Sequence, residues 1–133
     1  MNKAIIGLGS NISPQENMTK ALSALDQQFR VLRTSTIITT KPIGYLDQDD
    51  FLNTAVMIET AFDQNTLIQS LKAIEDRLGR NRSGLKFGPR TIDLDIIVWN
   101  GDIIDPDFYQ RNFLQTLVFE IAPDLKGQVK VKS

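Results

Sequence analysis

Apolar and polar positions along the chain change period several times, and each change marks an element. Residues 3–9 hold the apolar run Ala4-Ile5-Ile6 closed by Gly7 and Gly9, which predicts a buried strand. Ser13-Pro14-Gln15-Glu16 has the spacing of a capping box with Pro at the first helical position, and Met18, Ala21, Leu22 and Leu25 follow at helical period. Residues 30–40, rich in Val, Ile and Thr, suit a pleated surface and end in the turn or loop Lys41-Pro42-Ile43-Gly44. The acidic stretch 47–50 reads as solvated. Over 51–59 the chain alternates strictly, with Leu52, Thr54, Val56 and Ile58 on one face and Phe51, Asn53, Ala55 and Met57 on the other, a third strand.

Leu67, Ile68, Leu71, Ile74 and Leu78 form the stripe of a second helix, and Gly79 stands where a C-cap glycine belongs. Residues 80–89, with Gly84, Gly88 and Pro89, read as a loop, and 91–99 return to strand period. Asn100-Gly101 is a strong hairpin signal leading into Asp102-Ile103-Ile104. Beyond Pro106, the residues Phe113, Leu114, Leu117, Val118 and Ile121 predict a short helix stopped by Ala122-Pro123. The order strand, helix, strand, strand, helix, strand is that of the ferredoxin-like split βαβ arrangement. The expectation is an α+β protein, one domain over residues 1–133, with helices covering an antiparallel sheet.

Composition narrows the chemistry. The chain has no Cys and no His, so thiol nucleophiles, thiolate metal sites and imidazole bases are all excluded, and an enzyme built from it must work with carboxylates, Arg, Lys and backbone dipoles. Absence of Cys fits a reducing compartment, and no apolar stretch approaches the roughly 20 residues of a membrane span. The expected setting is cytoplasmic, with no membrane partner and no signal peptide. A formal net charge of −1 argues against a general nucleic-acid coat, yet it conceals a cluster: Arg77, Arg80, Arg82, Lys86 and Arg90 fall in one segment with no acidic residue between Arg77 and Arg90.

That cluster leads into Asp93 and Asp95. One residue apart on a strand, both point to one face, while Ile92, Leu94, Ile96 and Val98 point to the other. Two adjacent carboxylates repel unless a cation holds them, and a hard all-oxygen pair suits Mg²⁺ together with phosphate oxygens. The competing explanation is the solvated face of an edge strand. The basic segment can likewise be a solvated helix end, which accounts for Arg77 and Arg80 but not for Arg82, Lys86 and Arg90 beyond it. A phosphate chain between metal and guanidinium groups satisfies both signs of charge. Phe51 and Asn53 share a face, where the ring could stack on a flat heterocycle and the amide read its edge; core packing is the alternative for Phe51.

Gly9-Ser10-Asn11, Thr40-Lys41-Pro42-Ile43-Gly44, Asp50-Phe51-Leu52-Asn53, Glu75 with Gly79-Arg80-x-Arg82, and above all Gly88-Pro89-Arg90-Thr91-Ile92-Asp93-Leu94-Asp95 closely resemble the 6-hydroxymethyl-7,8-dihydropterin pyrophosphokinase family of the folate pathway. The resemblance runs from about residue 4 to residue 125. It implies transfer of the terminal diphosphate of ATP to the hydroxymethyl oxygen of the pterin, with release of AMP. By the same resemblance, Asp93 and Asp95 hold two Mg²⁺ ions, and Arg82 and Arg90 act catalytically on the transferred group. Glu75, Arg80, Lys86 and Arg111 bind the nucleotide; Thr40, Ile43, Phe51, Asn53 and Phe113 bind the pterin, with Phe51 and Phe113 on opposite faces of its ring.

The partners implied are the small molecules ATP and a hydroxymethyl pterin, with no nucleic acid, and the protein is expected to be a monomer. The chain departs from the family pattern at Lys86-Phe87, where Arg and Trp are usual, at Lys41-Pro42, where Pro-Pro is usual, and over 105–112, where a longer segment with a His is usual. A catalytically weak relative that binds a pterin or nucleotide, or uses a different pterin, is the alternative reading. An RNA-binding sheet would call for an aromatic-rich motif that the strands lack.

Overall fold

Among the described residues, six strands and three α-helices make up the fold: β1 (Asn2–Ser10), α1 (Pro14–Gln28), β2 (Arg30–Thr34), β3 (Ile38–Thr40), β4 (Phe51–Thr60), α2 (Gln64–Arg77), β5 (Asp93–Trp99), β6 (Asp102–Ile103) and α3 (Asn112–Ile121). The computed structural model describes residues 1–44, 46–79 and 91–127. The strands form one antiparallel sheet in the order β2-β4-β1-β5-β6, with β3 pairing β4 beyond β2. This is the ferredoxin-like order, with β1 and β4 central and each crossover carrying one helix. Among the described residues no helix is long and apolar enough to cross a membrane.

Both faces of the sheet are covered. Ile6, Leu8 and Ile58 pack with Met18 and Leu25 of α1 and Leu67 and Ile74 of α2. On the other face Ile5, Ala55 and Ile97 pack with Leu117 and Val118 of α3 and with Phe108. Each such side chain contributes roughly 1.5–3 kcal/mol through burial. Phe108, fully buried, meets Tyr109 and Phe119 edge to face at 5.4 and 5.7 Å between centroids, which ties the short 3₁₀ turn Pro106–Tyr109 to α3. Two-sided burial explains why the strict alternation of β4 carries apolar residues at both parities.

Three local expectations are corrected. Ser13 lies at φ 40, ψ 55 and makes no side-chain capping bond, because a capping residue needs the extended backbone that this left-handed conformation lacks. The Asn17 side-chain amide instead ties down the incoming chain by donating to the Ile12 carbonyl at 2.5 Å, while Glu16 pairs with Lys20 at 2.9 Å. The strand expected over 30–40 is two strands. Ser35 interrupts it: its N–H still donates to the Ala55 carbonyl at 2.8 Å, but its hydroxyl accepts the Ala55 N–H at 2.8 Å and meets the Thr54 hydroxyl at 3.0 Å, so a side chain takes the acceptor half of the ladder there. Finally, Val98 does not share the face of Ile92, Leu94 and Ile96. The pairing runs Ile5↔Val98 and then Ile6↔Ile96, so Ile97 is an extra residue, and the bulge sends both Ile97 and Val98 to the α3 side.

Candidate active site

The register of the three central strands builds the site. Gly9 pairs with Asn53 of β4 on one side and with Asp93 of β5 on the other; two residues along, Gly7 pairs with Ala55 and Asp95. Period two therefore brings Asn53, Gly9, Asp93 and Asp95 to the α3 face at one end of the sheet. Glycine in β1 leaves the floor open. A Cβ on Gly9 would stand 3.0 Å from the Asn53 Oδ1, and one on Gly7 would stand 3.1 Å from the Ile97 side chain.

Above that floor is a cleft of about 240 Å³ whose walls come from four further segments: the end of β3 and the turn after it, the start of β4, the 3₁₀ turn, and the first turn of α3. Thr40, Ile43, Phe51, Asn53, Asp93, Asp95, Arg111 and Phe113 all line it. Glu75 does not. It lies on α2, buried, with its Oε2 accepting the Leu94 N–H at 2.7 Å. Arg80, Lys86, Arg82 and Arg90, with the loop expected over 80–89, lie outside the described residues.

The amide of Asn53 is fixed from both ends. Its Nδ2 donates to the Thr40 hydroxyl at 2.5 Å, and its Oδ1 rests against Gly9. Gly9→Ala is expected to push that oxygen aside by a few tenths of an ångström and spoil the bond to Thr40. Because the backbone there needs no positive φ, the fold should survive. Ligand affinity at the Asn53 end of the cleft should fall about tenfold, the equivalent of one displaced hydrogen bond of about 1.4 kcal/mol. Fluorescence titration of a heterocyclic ligand checks it, and unchanged affinity would show that Asn53 does not read the ligand.

The acidic wall is electrostatically loaded. The Asp95 carboxyl is pushed up to about 8, first by loss of bulk water in the concave site, then by Asp93 through charge and a direct side-chain hydrogen bond, and further by Asp105 and Glu75. It keeps contact with solvent at the cleft mouth, which moderates but does not reverse that direction. Burial likewise pushes the Asp105 carboxyl up, against the Asp107 N–H and Arg111, which favour its charge. Asp105 and Asp107 were not among the sequence candidates. Asp105 caps the 3₁₀ turn by accepting the Asp107 N–H at 2.9 Å, and Asp107 pairs with Arg111 at 3.4 Å. The signal available was Asp105 directly before Pro106, a cap spacing that announces a turn but not a cleft wall.

A hard dication fits this donor set. The charge of Asp93 beside Asp95 helps to raise the Asp95 carboxyl, and a doubly charged oxygen-seeking ion would relieve that repulsion. Among the described residues no group of three or more carboxylates converges as a closed cage, so part of any coordination shell is left for phosphate or water oxygens.

Paired strand carboxylates beside an aromatic ring and a fixed amide, on an α+β sheet, are the outline of a phosphotransferase. The family model for 7,8-dihydro-6-hydroxymethylpterin-pyrophosphokinase matches residues 5–123. The 2-amino-4-hydroxy-6-hydroxymethyldihydropteridine pyrophosphokinase of Bacillus subtilis is 38% identical over 96% of this chain and 82% of its own length; that of Haemophilus influenzae is 37% identical over 94% and 84%. The folate synthesis bifunctional protein of Arabidopsis thaliana is 37% identical over 73% of this chain and 20% of its own length. The chain belongs to the 7,8-dihydro-6-hydroxymethylpterin-pyrophosphokinase family.

Proposed function

We propose that this chain transfers the β,γ-diphosphate of ATP to 6-hydroxymethyl-7,8-dihydropterin. The hydroxymethyl oxygen forms a bond to the β-phosphorus, the bond from that phosphorus to the oxygen bridging to the α-phosphate breaks, its electron pair leaves on AMP, and the hydroxyl proton is released to solvent. The observation that carries this reading is the single cleft in which Asp93 and Asp95 stand beside Phe51 and Asn53 in a chain of this family.

Phe51 and Phe113 stack on the two faces of the pterin, Thr40 and Asn53 engage its polar edge, and Ile43 closes the lip. Asp93 and Asp95 are the residues to hold two Mg²⁺ ions. When bound, those ions supply charge neutralisation on the phosphates and acidify the attacking hydroxyl. Arg111 faces the phosphate end of the cleft, and Arg80 and Lys86 extend that grip by their match to the family pattern. Arg82 and Arg90, on the same basis, hold charge on the transferred group. No protein nucleophile is needed, which suits a chain without His or Cys. The reading includes a monomer working in the cytoplasm on small molecules alone.

Incubation with MgATP and hydroxymethyldihydropterin is expected to yield AMP and the pterin diphosphate in equal amounts. Pterin binding with no AMP formed would overturn transfer and favour a binding module.

A further inference from the structure

We propose that Glu75 is a positioning residue for the Asp93 and Asp95 pair, acting through the peptide N–H of Leu94. The inference rests on the reading of that pair as metal ligands. Strand β5 has β1 along one edge, but on its other edge β6 pairs only with Val98 and Trp99. The segment carrying the two Asp thus has no neighbouring strand on that side among the described residues. At Leu94, opposite Leu8, the N–H points to the open edge, and there the carboxylate of Glu75, itself 3% exposed, accepts it at 2.7 Å.

Leu94 sits between the two Asp, and its side chain is buried with Ile74 of the same helix. Holding its peptide plane restrains ψ of Asp93 and φ of Leu94, two of the four backbone torsions that set the angle between the two carboxylates. The Glu75 oxygen supplies the acceptor that a neighbouring strand would otherwise offer, so a single side chain can replace the missing strand at this point. Helix α2 then supports the donor set through the backbone of β5, much as outer partners orient first ligands in metal sites.

The test uses the full chain with Mn²⁺ and α,β-methylene-ATP, following free Mn²⁺ by its paramagnetic resonance, and amide exchange at Leu94. Glu75→Met fills the space without a comparable acceptor; Glu75→Gln keeps an acceptor oxygen. The expected result is a protected Leu94 amide in the parent, Mn²⁺ affinity lowered about 10–100-fold in Glu75→Met with fast Leu94 exchange, near-parent values in Glu75→Gln, and turnover of the Met variant recovered at high metal concentration. Parent exchange at Leu94 as fast as at an open strand edge would overturn the proposal whatever the variants do, including a Met variant that fails to fold. So would a Gln variant that falls as far as Met, since charge rather than the accepted bond would then be at work. Parent Mn²⁺ binding that Asp95→Asn leaves untouched would mark failure of the metal reading itself, with Leu94 protection still telling whether the Glu75 bond exists.

Discussion

Asp95→Asn is expected to cut diphosphate transfer on the order of 10³-fold or more, the scale on which groups that handle charge in a moving phosphoryl group act, while making the metal-free protein harder to melt near pH 8. The two effects have one origin. Asp95 has its carboxyl raised from an ordinary value of 3.8 to about 8 by desolvation and by Asp93, Asp105 and Glu75. As pH rises from about 4 to 8, the unfolded chain gives up a proton that the folded chain keeps, so the folded state loses stability across that window. Solvent contact at the cleft mouth screens part of this, so the gain from Asn at pH 8 should be a few degrees in Tm, vanishing near pH 4. Melting curves of parent and variant between pH 4 and pH 8 check the sign. A variant that melts lower than the parent at pH 8 would mean that the acidic wall is not under like-charge stress.

Activity should not follow that curve. Mg²⁺ held as proposed would favour ionised Asp95, so in the presence of MgATP the pH at which that carboxylate becomes competent should fall below the value near 8 that holds without metal. On the proposed reading the protein carries at Asp95 a local penalty that metal binding would relieve, so stability gives way to function at this position.

Period and punctuation made most of the fold legible. Asn100 at φ 47 and Gly101 at φ 87 form the tight turn that the Asn-Gly pair announced, and Gly79 at φ 87 ends α2 where the stripe ran out. The pair Asp93 and Asp95 was legible because period two needs nothing beyond the strand itself. What escaped depends on partners far away in the chain. The bulge at Ile97 depends on how β5 meets Ile5 and Ile6, and the break at Ser35 on a hydroxyl finding Ala55 across the sheet. Asp105 and Asp107 joined the acidic wall only because the packing of Phe108 folds the 3₁₀ turn back onto α3. Glu75 illustrates the limit from the other side. Its helical position was clear, but nothing local tells that its carboxylate meets the Leu94 N–H rather than the cleft.

The pocket offers the second large effect. Phe51→Ala should remove about 1–3 kcal/mol of pterin binding, up to roughly 150-fold in affinity, by the measure of bases stacked on aromatic rings. Phe51 leads β4, anchored at its register with Thr40 of β3, so its ring is presented by the sheet and should lose the full stacking contribution. Phe113 is presented differently, from the first turn of α3, just after the Arg111 cap and half-buried. Phe113→Ala should cost affinity as well; if the Arg111 to Asp107 pair beside it helps hold the first turn of α3, Asp107→Asn should reduce binding in the parent and have little further effect in Phe113→Ala. Asn53→Ala should act on selectivity. With the amide gone, the Thr40 hydroxyl loses its donor and the pterin edge loses its partner, so discrimination between pterin and purine should fall more than pterin affinity alone. Fluorescence titration of the single variants and of the Asp107 and Phe113 double variant separates these roles. A Phe113 variant that binds like the parent beside a crippled Phe51 variant would leave the ring covered on one face only, and a standard two-sided pterin pocket would have to be abandoned.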